Sequence, residues 1–246
     1  INQENSEGYF RLGCAFKAIR NFDDAIKNYK KSIFINPNFI EAYNNLGTIL
    51  IELRRLQEAE EIFKQVILLA PGYAGSHINL GNTLKHLNKH EEAEISCRIG
   101  IKLEPNNASS YYNLGHILKE QEKLDGAEIS FRKAIELDPN YSKAYSSLGI
   151  TLKELNKLKE AKEVCEYAVA IDPNYAEGYA NLAMIFYTLG DLNSAIGKIK
   201  EANSIDPQSG LINKLLVILK SKKNKPNTSL IKNFNLSSNP LILKRE

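Results

Sequence analysis

The sequence predicts an all-α fold, a superhelical stack of antiparallel helix pairs, and two observations predict it. First, prolines stand at positions 37, 71, 105, 139, 173 and 207, so one residue type returns every 34 residues. Second, fixed places inside that period keep their character. Leu12, Leu46, Leu80, Leu114, Leu148 and Leu182 form one uninterrupted column, and Ala25, Ala59, Ala93, Ala127, Ala161 and Ala195 form another. The residue after each leucine is Gly13, Gly47, Gly81, Gly115, Gly149 and then Ala183, and three before it stand Tyr9, Tyr43, His77, Tyr111, Tyr145 and Tyr179. A period of this length marks a helical repeat array.

The elements follow in order. Residues 1–5 read as the end of an earlier repeat, because Ile1-Asn2 aligns with Ile35-Asn36 and Gln3 falls where a proline would stand. With no starting methionine, the expectation is a piece of a longer protein. Residues 6–209 hold six units. Each contains two amphipathic stretches, for example 40–53 and 57–69, with apolar residues at helical spacing and a polar break between them. Gly47 and Ala59 are small enough to let the two backbones approach, with Leu46, Leu50 and Phe63 around the contact. Pro71 ends the second helix, since it lacks an amide hydrogen and restricts the residue before it. A single pair cannot bury its apolar face, so neighbours must stack. Residues 210–223 carry Leu211, Ile212, Leu215, Leu216 and Leu219 at helical spacing and read as a capping helix. Residues 224–246, with Pro226, Pro240 and many Asn and Ser, read as a solvated tail or linker.

These columns resemble the tetratricopeptide repeat family, whose pattern is an aromatic, then Leu-Gly, a small Ala, a further aromatic and a closing Pro. The strings YNNLG at 43–47 and YYNLG at 111–115 are most similar to the repeats in the arm of O-linked N-acetylglucosamine transferase. The resemblance implies a right-handed superhelical solenoid whose concave face is lined by the first helix of each pair.

Composition narrows the function. No apolar run approaches the length of a membrane span and no signal-peptide pattern opens the sequence. The net charge of +3 is uneven: from Lys220 onward there are seven basic residues and one acidic, so the array itself is nearly neutral. That balance does not point to nucleic acid. Three cysteines, Cys14, Cys97 and Cys165, form no CxxC pair. Cys97 and Cys165 take the place held by Phe63 and Phe131, as buried thiols would, and a reducing, cytoplasmic setting is expected. His86 and His90 are spaced i, i+4, but Asn88-Lys89 lies at the turn between two helices. His77, near Cys97 in the expected pair, stands with His90 and Cys97 in a repeat that departs from the pattern, and loose packing there is the simpler reading than a metal site. No GxxxxGK[ST], GxSxG or HExxH motif occurs, and carboxylate pairs such as Glu60-Glu61 and Glu91-Glu92 read as solvated charge. No cofactor, no metal and no catalytic activity are expected.

Function therefore has to come from a binding face. The column before the leucine reads Arg11, Asn45, Asn79, Asn113, Ser147 and Asn181, with Asn82 one turn beyond Asn79. A carboxamide offers a donor and an acceptor, matching a peptide unit, so such a ladder suits an extended segment. In the transferase arm, the resemblance implies, a ladder of this kind holds its ligand. Six residues on stand Lys17, Ile51, Lys85, Lys119, Lys153 and Tyr187, a broken positive stripe that suits a peptide with acidic residues. The chaperone-tail carboxylate clamp of some relatives needs a lysine where this sequence has Phe10, Asn44, Ile78, Tyr112, Ser146 and Ala180, so that ligand is not expected. The candidate partner-binding residues are Asn45, Asn79, Asn82, Asn113, Asn181, Lys85, Lys119 and Lys153. The expected partner is a protein or extended peptide bound by a scaffold. The alternatives are a substrate-recruiting arm of a larger enzyme, for example a glycosyltransferase, and self-association through an uncapped first repeat.

Overall fold

The computed structural model describes residues 3–224, and the expectations placed on residues 1–2 and 225–246 lie outside them. Within that span the protein is helical throughout, with short turns and no strand. The helices are α1 (Gln3–Ala18), α2 (Phe22–Ile35), α3 (Ile40–Glu52), α4 (Leu56–Leu69), α5 (Ala74–His86), α6 (His90–Leu103), α7 (Ala108–Glu120), α8 (Leu124–Leu137), α9 (Ser142–Glu154), α10 (Leu158–Ile171), α11 (Ala176–Thr188), α12 (Leu192–Ile205) and α13 (Gly210–Asn224). Two compact units divide them, residues 1–117 and 118–246, with the boundary inside α7.

Local chemistry sets the helix ends. The second helix of each pair stops two residues before its proline: α2 at Ile35, α4 at Leu69 and α10 at Ile171. The residue preceding proline is extended, as at Asn36 (φ −127°, ψ 92°) and Asp172 (φ −127°, ψ 91°), because the proline ring excludes the helical conformation there. The side chains of Asn36, Asp138, Asp172 and Asp206 then each accept the amide two residues on and close the turn. The first helices end differently. Arg20, Arg54, Asn88, Glu122, Asn156 and Gly190 all have positive φ, between 59° and 84°, and recur at the same 34-residue spacing. Each is the left-handed residue that closes a helix C-terminus. At Arg54 its own amide donates to Ile51 O and the next amide, of Arg55, to Leu50 O, which satisfies the last carbonyls of α3.

In unit 1 the pairs α1–α2, α3–α4 and α5–α6 are antiparallel, and α2 packs on α3 and α4 on α5. The expected small-residue contact is present. A Cβ added to Gly47 would lie 2.5 Å from the Phe63 ring, and one on Gly13 would lie 2.6 Å from that of Tyr29. In the third pair Cys97 takes the place of the ring. There a Cβ on Gly81 would meet Cys97 Sγ and also backbone, Ala93 O at 3.1 Å, so the contact is filled without the ring. Cys97 and Ala93 are fully buried, and the expected looseness of this pair has no counterpart in its packing.

In unit 2, α8 packs on α9, α10 on α11 and α12 on α13. Ile212, Leu215 and Leu219 of α13 join Ala195, Ile199 and Ala202 of α12 and Met184 of α11 in one apolar cluster. Burying such side chains contributes roughly 1.5–3 kcal/mol each. Cys165 repeats the role of Cys97 against Gly149. Burial pushes both thiols up to about 12, which leaves them protonated and unreactive at neutral pH.

One expectation about the outer faces is corrected. Glu60 is buried, not solvated: it accepts from Lys64 Nζ at 2.6 Å on its own helix and from Lys89 Nζ at 2.9 Å at the turn of the next pair. Glu128 in unit 2 repeats the arrangement with Arg132 and Lys157, at 2.9 and 2.7 Å. Repeat spacing brings a lysine from the next turn over each carboxylate, and that contact is invisible within a single helix. Glu61 and Glu163, by contrast, are exposed.

Candidate functional site

The asparagines and lysines singled out above lie on the first helices of the pairs. Unit 1 carries Asn45 on α3, Asn79, Asn82 and Lys85 on α5, and Asn113 on α7, all partly exposed. Unit 2 carries Lys119 at the end of α7, Lys153 on α9 and Asn181 on α11.

Their hydrogen bonds show how much of each side chain is already used. Asn79 Nδ2 donates to Asn44 Oδ1 at 2.8 Å, across from α5 to α3. In unit 2, Asn181 Nδ2 donates in the same way to Ser146 Oγ at 2.8 Å, from α11 to α9. Both bonds span 35 residues, so the position two before the leucine accepts from the asparagine of the following repeat. Asn45 has apolar Phe10 at that place; it turns instead toward Cys14 and takes a long contact from Lys17 Nζ at 3.5 Å. Lys17 Nζ also donates to Thr48 Oγ1 at 3.1 Å. Asn82 and Asn113 make no side-chain hydrogen bond among the described residues.

The lysines are not equivalent. Lys119 is buried and ion-paired with Glu154 Oε1 at 3.1 Å. Burial lowers its pKa, and the Glu154 carboxylate offsets part of that. Lys153 is half-buried, its pKa also lowered by burial and partly restored by adjacent Glu154, yet it makes no ion pair or hydrogen bond among the described residues. Asn181 is only 8% exposed, and its Oδ1 has no hydrogen-bond partner among the described residues.

The histidines are separated by the fold. His86 ends α5 and His90 begins α6, so they do not share a helix face. Burial, with Lys85 and Arg54 nearby, lowers the His86 pKa to about 4, so its imidazole is neutral at physiological pH. His77 Nε2 lies 3.1 Å from Pro71 O, and the residue facing Cys97 is Gly81, one turn further along α5. Among the described residues no group of three His, Cys, Asp or Glu side chains is placed to hold a metal ion.

The partners that the sequence does not reveal are Asn44, Ser146 and Glu154. Polar residues recurring beside the asparagine column are the available signal, but which of two adjacent side chains reaches the next repeat depends on how the pairs stack.

Comparison with known families decides the assignment. Tetratricopeptide repeat models match residues 6–39, 40–73, 74–107, 108–141 and 176–209, and a further one matches 130–163. The chain belongs to the tetratricopeptide repeat family. Five of those matches share the proline phase, and the overlapping one is shifted from it. Solved structures with the same fold include the APC/C hetero-tetramer Cut9-Hcn1 (TM-score 0.79, 16% identity over 89% of this protein and 43% of that one). PilF of Pseudomonas aeruginosa is similar (TM-score 0.74, 17% identity, 89% and 98% covered). So is YrrB, described as a TPR protein with an unusual peptide-binding site (TM-score 0.59, 21% identity, 78% and 97% covered). The tetratricopeptide array thus spans less than half of the Cut9-Hcn1 polypeptide it matches. At these identities the likeness is one of fold. No curated protein sequence matches this tetratricopeptide repeat protein.

Proposed function

We propose that this tetratricopeptide array is a non-catalytic scaffold that holds an extended polypeptide segment along the first helices of its pairs, in the cytoplasm, where its three free thiols stay reduced. The observation that carries the reading is the unused hydrogen-bonding capacity on that face in unit 1. Asn82 and Asn113 each offer a free carboxamide, and Asn45 and Asn79 each keep part of theirs. Half-buried carboxamides at repeat spacing match the alternating C=O and N–H of an extended segment. Lys85 and Lys153 add positive charge that favours a segment with acidic residues, whereas the charge of Lys119, expected from the sequence to join them, is spent on Glu154. A relative of the same fold, YrrB, is described by its peptide-binding site. The rival reading is a substrate-recruiting arm of a larger enzyme, as the likeness of YNNLG and YYNLG to the transferase arm implies.

The test uses the full protein to select binders from a randomised peptide library. The variant Asn82→Ala with Asn113→Ala breaks no internal hydrogen bond, so its melting temperature stays that of the parent. It is expected to lose about 1–3 kcal/mol of binding, at roughly 0.5–1.5 kcal/mol per lost hydrogen bond. The controls are the exposed residues Glu61 and Glu163. Unchanged affinity in the double variant, with loss on changing a control, would place the site on the second helices.

A further inference from the structure

We infer that the protein self-associates through α6, whose outer face pairs antiparallel with the same face of a second copy. The contact is independent of the peptide-binding reading above, since it uses a second helix and leaves the first helices of both copies open.

An apolar stripe that the repeat does not require carries it. On α6, Ala93, Ser96, Cys97 and Gly100 are buried, while the other side of the helix shows Ile95 at 60% and Ile99 at 39% exposure. Residues four apart share one helix face, so the two isoleucines form a single patch. The places they occupy hold Lys27 and Lys31 in the first pair and Glu61 and Gln65 in the second, all exposed. No other pair of the array has apolar residues at both places. Adjacent exposed apolar side chains, where the fold is content with polar ones, mark an interaction surface.

The charges at the ends of the stripe select the partner. Glu92 stands three residues before Ile95 and Lys102 three after Ile99; both are exposed, and neither makes an ion pair or hydrogen bond among the described residues. Glu92, Ile95, Ile99 and Lys102 thus follow the three-four-three spacing of a helix-pairing seam, about 15 Å long. Turned end for end, this seam matches itself. Around a two-fold axis beside Cys97, Ile95 meets Ile99 of the second copy and Glu92 meets its Lys102, and both contacts occur twice. Parallel pairing would instead set like charges together at each end. The apolar centre supplies the attraction, and the end pairs, weak at a surface, fix direction and register. A foreign helix would have to offer an acid and a base in the reverse order, whereas a second copy supplies them by symmetry.

One helix against one helix is a small contact, so the dimer belongs among transient ones. Sedimentation equilibrium of the full protein from about 1 μM to about 1 mM covers that range, and a monomer–dimer equilibrium within it is the expected result. Ile95→Glu weakens the dimer roughly 10-fold or more by putting a charge into the apolar centre. Glu92→Lys and Lys102→Glu each bring like charges together at both ends and weaken it by a similar factor at low ionic strength. The deciding measurement mixes these last two variants. One copy then presents two positive charges and the other two negative, so the mixture forms a heterodimer at a concentration where neither variant associates alone. Glu61→Lys, an exposed change on α4, alters nothing, and circular dichroism confirms that each variant is folded. A parent that stays monomeric throughout the range would overturn the inference and leave the stripe to a different protein. A dimer that persists in Ile95→Glu would overturn it by placing the contact elsewhere, with the exposed Leu12 of α1 the next surface to change. Failure of the two charge variants to pair on mixing would overturn the antiparallel register.

Discussion

At the scale of single residues, close contacts and inter-repeat partners decide what each position tolerates. Ala127 is fully buried, so Ala127→Leu overpacks its site and is expected to cost about 1–3 kcal/mol. Glu163→Leu, on an exposed face, should change stability by no more than about 0.5 kcal/mol. Chemical denaturation of both variants checks the contrast, and equal midpoints would contradict it. Glu60 makes a pH-dependent prediction. Burial works to raise its pKa, but the hydrogen bonds from Lys64 and Lys89 outweigh it, and the net shift is downward. A carboxylate whose folded pKa lies below its unfolded value, about 4.3, contributes stability that is complete above that value. The contribution is lost as the pH falls through the folded pKa. Glu60→Gln should therefore destabilise the fold at pH 7 and shrink the drop in stability between pH 7 and pH 3, as measured by urea unfolding at each pH.

At the scale of helices, the recurring terminator of the first helix shows where the backbone holds an unfavourable conformation. A left-handed backbone costs a non-glycine residue roughly 1–2 kcal/mol. Glycine escapes that cost but gives back about 0.5–1 kcal/mol through the freedom of the unfolded state. Glu122, at φ 60°, has no side-chain bond that its removal would break. Glu122→Gly is expected to stabilise the protein by up to about 1 kcal/mol, and a lower melting temperature would show that the turn does not bear this strain. Gly190 already occupies the equivalent place in the last pair. Asn88, Asn156 and Gly190 in one column are a readable sign of this turn, because these residue types tolerate positive φ; Arg54 and Glu122 in the same column conceal it.

At the scale of the molecule, stability in a repeat array comes from each pair lying against its neighbours. Leu12 shows the consequence. It is 49% exposed, while the other leucines of its column are no more than 6% exposed, because no described pair lies before α1 to cover it. In a fragment of residues 3–224, the backbone amides of α1 and α2 should therefore exchange hydrogen faster than those of α3 and α4, as checked by mass-spectrometric exchange. The pair α5–α6, with its Cys97 contact closed, should be protected like α3–α4. Faster exchange there would show that losing the aromatic ring costs packing that the buried thiol does not restore.

What the sequence by itself determined is whatever repeats. Leucine, glycine, alanine and proline columns at a fixed spacing admit one solution, helix pairs that bury the same face again and again, and the family match agrees with it. Asn45, Asn79, Asn82, Asn113 and Asn181 could be placed on the first helices for the same reason. Only the tertiary structure decided which of those side chains are free. Hydrogen bonds and ion pairs between repeats join residues about 30 apart, and they depend on the offset between stacked helices. That offset spends the Asn79 donor on Asn44, buries Lys119 against Glu154, draws Lys89 over Glu60 and buries the Asn181 acceptor with no partner among the described residues. Hydrophobic periodicity records which face of a helix is buried; it carries no information on which polar atom of the next helix arrives within 3 Å, and that distance separates a structural asparagine from one able to hold a ligand.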